Sequence, residues 1–173
     1  MKKEFTKYLK SLNEAELYAE LMKLYTKFPV VKQFYAMELS PNTNKIVEQY
    51  RTKIRKIYFK PSGGFGHGSS GDSRNIISNF KKIAIYQSDV IDLWLYRTEM
   101  MAEYLVRLGY YNESYFKSVA TSFETACKLI VKEKLEMQFE YRCRKIVESL
   151  TNCWGLSSEV KWIYERYFGK IEW

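Results

Sequence analysis

The residues best placed to do chemistry lie in one stretch, Pro61 to Ser73, which reads Pro-Ser-Gly-Gly-Phe-Gly-His-Gly-Ser-Ser-Gly-Asp-Ser. Gly66, Gly71, Asp72 and Ser73 stand at the spacing of a phosphate-binding P-loop, Gly-x-x-x-x-Gly-Lys-Ser. The lysine that would reach the β- and γ-phosphates is replaced here by Asp72, whose charge repels them, and no buried strand precedes the segment. A nucleoside triphosphatase is therefore set aside, and Asp72 or Ser73 reads as the cap of the following helix. A weaker property survives. Backbone N–H groups at Gly64, Gly66 and Gly68, the hydroxyls of Ser70 and Ser73, and Arg74 just beyond would form an anion cradle leading into a helix N-terminus.

His67 is the one histidine of the chain, and so the one candidate for acid–base work near neutral pH. An exposed, idle imidazole among glycines is the competing reading. Metal chemistry has little to build on. The pairs Glu16/Glu20, Glu99/Glu103 and Glu136/Glu140 share helical faces, but no helix carries the histidine that a carboxylate-bridged di-metal centre needs. No metal and no cofactor is expected. Cys127, Cys143 and Cys153 are odd in number and lack Cys-x-x-Cys spacing, so they read as reduced, small apolar residues of a cytoplasmic protein.

Charge sharpens the picture. Nine bases and two acids lie between Lys45 and Lys82, which places +7 of the chain's net +8 on 38 of its 173 residues. The candidate anion-binding side chains are Arg51, Arg55, Lys56, Lys60 and Arg74, on the two segments that flank the glycines. Charge this uneven implies an anionic partner: nucleic acid, a phosphorylated ligand or an acidic protein. Tyr50, Tyr58 and Phe59 are interleaved with these bases, but Tyr50 shares a helical stripe with Ile54 and Ile57. The rings therefore read as core rather than as stacking platforms for bases.

Helices must position all of this. The chain holds only three prolines and eight glycines, too few for a many-stranded protein, while 46% of it is apolar. No apolar run approaches the roughly 20 residues that span a bilayer, and Met1 to Tyr8 lacks the apolar core of a signal peptide. A first helix is expected over about Lys3 to Lys10. Asn13 and Glu16 form a capping box for a second, whose stripe is Leu17, Leu21, Leu24, Tyr25 and Phe28. Pro29 starts a third helix, and Ser40-Pro41 a fourth that runs to Tyr58. Beyond the glycines, one helix carries Ile76, Ile77, Phe80 and Ile83. Ser88 caps a longer one ending at Gly109, with Ile91, Trp94, Met101, Leu105 and Leu108. Asn112 opens the next, with Val119, Phe123, Cys127 and Ile130. A break is placed between Val131 and Leu135 because an unbroken helix onward to Trp154 is too long for a globular domain. Phe139, Cys143, Ile146, Val147 and Leu150 mark another stripe, and Ser157 starts the last helix. Trp94, Trp154 and Trp162 are expected in core or edge packing, and Trp173 exposed.

The order of these motifs carries a resemblance. An N-terminal hairpin with Leu and Tyr anchors is followed by Tyr58-Phe59-Lys60-Pro61, Phe65-Gly66, Ser73-Arg74, Phe80-Lys81-Lys82, and a Trp154-Gly155 and Tyr167-Phe168-Gly169 ending. In this the chain resembles an uncharacterised bacterial family, domain of unknown function 6155. The resemblance covers most of the chain. It implies a small helical protein and carries over no catalytic residue. The family's loop more often has a basic residue after Phe-Gly, where this chain has His67.

The sequence thus describes one all-α domain over residues 1–173, of about eight or nine antiparallel helices in a bundle or short α-α superhelical array. A flexible Gly/Ser-rich loop is expected at 61–72. The function that fits is a non-enzymatic module, with no membrane partner, binding an anion through the surface around residues 45–82. Two alternatives stand beside it. One is a small enzyme on a phosphorylated substrate using His67, the other a structural protein that forms homodimers through an exposed aromatic patch.

Overall fold

The computed structural model describes residues 1–40, 42–109, 112–153 and 155–170. Among them are nine helices and no strand; the one β feature is an isolated antiparallel bridge between Phe59 and Phe65. The helices are α1 (Lys2–Ser11), α2 (Glu14–Lys27), α3 (Pro29–Glu38), α4 (Asn44–Tyr58), α5 (Ser70–Phe80), α6 (Gln87–Leu108), α7 (Glu113–Glu133), α8 (Glu136–Ser149) and α9 (Leu156–Phe168). No helix among the described residues is long and apolar enough to cross a membrane.

Helix α6 is the centre of the array, packed against α4, α5, α7 and α8, while α7 in turn carries α9. Its composition suits the place. Val90, Ile91, Leu93, Leu95, Met101 and Leu105 are buried on more than one side, the pattern of a helix surrounded by others. One charge network ties three helices together. Asp92 of α6 accepts from Arg51 of α4 and from Arg142 of α8, and Arg142 also grips Glu99 through two hydrogen bonds of 2.6 and 2.8 Å. Burial opposes the Arg142 charge, but the hydrogen bonds and charges of Glu99 and Asp92 outweigh it and raise its pKa. Glu99 is therefore a structural partner of Arg142, not a solvated face. Among the described residues no cluster of three metal-ligating side chains forms.

Several helix boundaries follow their local signals. Asn13 and Glu16 make both bonds of the capping box, Pro29 opens α3, Asn112 accepts from Tyr115 N–H, and Gly109 ends α6 in the left-handed region. Four starts differ from expectation. Helix α4 begins at Asn44, after Thr43 has turned its hydroxyl to Asp89 at 2.8 Å; Pro41 itself lies outside the described residues. Helix α5 begins at Ser70, because Ser69 and not Asp72 or Ser73 accepts the capping N–H. Helix α6 begins at Gln87, with Tyr86 before it and no cap from Ser88. Helix α9 begins at Leu156, after Gly155 at φ 83° supplies the turn that Ser157 was expected to make. Trp154 and Trp173 lie outside the described residues; Trp94 is half-buried, and Trp162 and Leu108 are exposed.

The stripe of α2 is the clearest departure. None of Leu17, Leu21, Leu24, Tyr25 and Phe28 is buried, α1 likewise buries nothing, and α3 buries only Met37. Helix α2 packs on α3 and makes no comparably large contact with α4 to α9. The three helices form an arm whose rings and aliphatic side chains, Phe5, Tyr18, Leu21 and Phe28 among them, face outward.

The break between α7 and α8 falls where chain length demanded it, by a device with no sequence signature. Lys134 adopts φ 57°, Leu135 N–H reaches Ile130 C=O at 2.9 Å, and Lys134 N–H reaches Val131 C=O at 3.2 Å. This is a Schellman ending with lysine where glycine is usual. A side chain in the left-handed region costs roughly 1 kcal/mol. Lys134→Gly is therefore expected to stabilise the protein by about 0.5–1 kcal/mol, net of glycine's larger unfolded-state entropy. The measurement is the urea midpoint, which should rise; a lower midpoint refutes the strain.

Candidate functional site

The segment between α4 and α5 is shaped by what the end of α4 lacks. The last carbonyls of a helix have no partner within it. Gly66 N–H donates to Tyr58 C=O at 2.8 Å and Gly68 N–H to Ile57 C=O at 2.9 Å, so the glycine strand closes the end of α4. A tight turn returns the chain, with Lys60 N–H on Gly64 C=O at 2.7 Å and Gly63 N–H on Lys60 C=O at 3.0 Å. Two glycines are sterically required. A Cβ on Gly66 would overlap the Ile57 carbonyl, and one on Gly68, at φ +68°, would stand 2.7 Å from the Tyr104 ring. Where a loose loop over 61–72 is expected from composition, Gly66 and Gly68 are hydrogen-bonded to α4 and positions 70–72 belong to α5.

Beneath the strand sits an aromatic cluster centred on Tyr104. Its ring meets those of Tyr58, Phe59, Phe65 and Tyr115 at centroid distances of 5.6 to 6.1 Å, and its hydroxyl donates to Gly66 C=O at 3.3 Å. Deeper still lies Arg97, 1% exposed. Its Nε donates to Ser73 Oγ and its Nη2 to Ser70 C=O, both at 2.9 Å, and Ser73 Oγ is also 2.6 Å from the Tyr58 hydroxyl. These acceptors are neutral. Burial lowers the Arg97 pKa, and Arg74 nearby works in the same direction.

The ten anion-binding candidates divide. Arg55, Lys56 and Lys60 come together in a shallow pocket of about 210 Å³ with Thr52, Phe59 and Pro61. The guanidiniums of Arg55 and Arg107 both lie against the Phe59 ring, at 5.5 and 5.4 Å. Arg51 is drawn away into the pairing with Asp92 and Glu48. Arg74 is exposed on α5. Ser73 is fully buried, Ser70 is half-buried with its hydroxyl on Ser118, and the N–H groups of Gly66 and Gly68 are engaged with α4. Gly64 stays at the surface of the turn, with its C=O accepting from Lys60.

His67 is exposed, its Nε2 3.0 Å from Asp72 Oδ2, and this hydrogen bond holds the Asp72 pKa below the usual carboxylate value. It lines a cavity of about 330 Å³ with Gly68, Tyr104, Leu108 and Tyr115. The three cysteines are buried and free, and burial together with Cys143 pushes the Cys127 thiol up, away from nucleophilic use.

The family model described as "Family of unknown function (DUF6155)" matches residues 1–168. The chain belongs to that family. No curated protein and no solved structure matches it. Membership in DUF6155 thus brings no activity to test against the site, and the functional reading rests on the residues.

Arg97 escaped the sequence reading, although a signal for it exists. It sits between Trp94 and Met101 on the apolar stripe of α6, where a charged residue has to be buried. The glycine strand gives the sharpest test of the site's construction. Gly66→Ala is expected to cost about 2–3 kcal/mol, since the carbonyl it would strike belongs to a helix end that cannot retreat. Gly64→Ala, whose nearest neighbour would be the flexible Lys60 side chain at 3.7 Å, is expected to stay within about 0.5 kcal/mol of the parent. Chemical denaturation of the two variants measures the contrast, and equal midpoints contradict it.

Proposed function

We propose that this chain is a non-enzymatic helical module that docks an extended anionic partner on a cationic ridge formed by Arg55, Lys56 and Lys60 with Lys53, Arg74 and Lys82. The observation that carries the reading is the pairing pattern of the surface. Several exposed cations elsewhere sit beside carboxylates, as in Lys23–Glu20, Arg107–Glu103, Lys117–Glu113 and Lys145–Glu148. Along α4 and α5, among the described residues, Arg51 is the one cation that meets a carboxylate, and it points inward. The ridge keeps its full charge toward solvent. Tyr50, Tyr58 and Phe59 are buried and offer no face for base stacking, so the partner is bound by its charge.

Anisotropy with labelled oligonucleotides and with polyglutamate across a salt series tests this. Affinity should fall steeply and log-linearly with salt, and Lys56→Glu with Lys60→Glu should weaken it by about tenfold or more. Absence of binding, or binding indifferent to salt, overturns the proposal.

A second reading has its own observation. The α1–α3 arm exposes Phe5, Tyr8, Tyr18, Leu21, Met22 and Phe28, a concentration of apolar side chains that fits self-association. A dimer is then expected by light scattering at low micromolar protein, and Leu21→Asp should return it to monomer. A parent chain that is monomeric at tens of micromolar removes this reading.

A further inference from the structure

A cleft of about 360 Å³ opens where the arm meets α4 and α5. Four of the residues that line it are exposed and carry side-chain nitrogen: Gln33 of α3, Lys53 of α4, Asn79 of α5 and Lys82 in the turn after α5. No acid lines it. The two lysines have settled on neutral groups instead. The Lys53 ammonium lies 4.3 Å from the centre of the Tyr50 ring, and the Lys82 ammonium donates to Asn79 Oδ1 at 2.9 Å.

The amides add to this one-sidedness. The Tyr50 hydroxyl donates to Gln33 Oε1 at 3.4 Å, and Asn79 Oδ1 is taken up by Lys82. With each carbonyl oxygen accepting, each amide keeps its NH2 group to donate. Two ammoniums and two amide donors therefore make up the exposed polar wall. A wall of donors repels cations and is complementary to an oxyanion, whose bonds to ammonium groups are the strong, charge-assisted kind. Val30 and Ile76 complete the lining with apolar surface, and the volume falls within the range of small-molecule sites.

We infer that the cleft between α3, α4 and α5 binds a small phosphate monoester. Such a group carries nearly two negative charges at neutral pH and three strong acceptor oxygens, which suits two ammoniums flanked by two amides. A carboxylate brings half that charge and one oxygen fewer. Val30 and Ile76 cover the organic part, and no reaction is assigned to the site. The inference rests on the ridge reading in one respect, that Lys53 and Lys82 serve both. Gln33 and Asn79 belong to the cleft alone, and that difference separates the two in an experiment.

The probe is phenyl phosphate, compared with benzoate and titrated into the full chain by calorimetry at physiological salt. Saturable binding is expected, about tenfold or more tighter for phenyl phosphate than for benzoate. Gln33→Met with Asn79→Ala changes no charge and alters only exposed positions. It should weaken phenyl phosphate about tenfold while leaving oligonucleotide binding as in the parent, a split that a general cationic atmosphere would not give. Lys82→Gln should weaken phenyl phosphate as well. Lys56→Glu with Lys60→Glu should do the reverse of the amide variant, losing the oligonucleotide and keeping phenyl phosphate. No saturable binding to the parent, equal affinity for benzoate, or undiminished binding by the amide variant overturns the inference. A parent chain that binds phenyl phosphate but no oligonucleotide overturns the ridge alone.

Discussion

The end of helix α4 is the constraint around which the centre of this molecule is arranged. A helix that stops beneath a covering layer leaves carbonyls that must find donors other than water. Here the donors are the N–H groups of Gly66 and Gly68, reached by turning the chain back at Gly63. The approach is so close that residue 66 has to be glycine, and the Tyr104 ring imposes the same demand at 68. Once the strand lies across the helix end, Ser69 arrives where it can cap α5. Ser73, one turn on, then falls between the Tyr58 hydroxyl and Arg97. The glycines, read by type as freedom, act in this fold as clearance.

That inversion marks the limit of what the residues disclosed beforehand. The all-α class, the succession of helices and most of the buried stripes followed from periodicity, because α4 to α9 each bury most of the side chains that their spacing marks. Val47, Ile54, Phe123 and Cys143 are examples. Helix starts were less legible. Ser69, Asp72 and Ser73 are all acceptable caps, and the choice among them was made by the strand that precedes them, a long-range fact. The ending at Lys134 was legible only through length, since lysine carries no preference for a positive φ. The arm was misread for a related reason. A stripe such as Leu17, Leu21 and Leu24 says that a surface wants covering, not that the same chain covers it.

The site was half legible. Arg55, Lys56 and Lys60, which charge density singles out, share one pocket. Which cation would leave the ridge was not readable. Arg51 stands one helical turn from Arg55 with nothing to distinguish it, yet it faces Asp92, a residue 41 positions away. The acids explain the asymmetry. Asp92 and Glu99 are consumed in joining α4, α6 and α8, so they neutralise interior arginines and leave the outer face of α4 cationic.

Two positive features therefore coexist close together and obey different physics. Arg55, Lys56 and Lys60 are exposed, so their field is screened over about 8 Å at physiological salt. Arg97 is sealed from solvent, where added salt barely reaches it and where its field is strengthened by the low polarity around it.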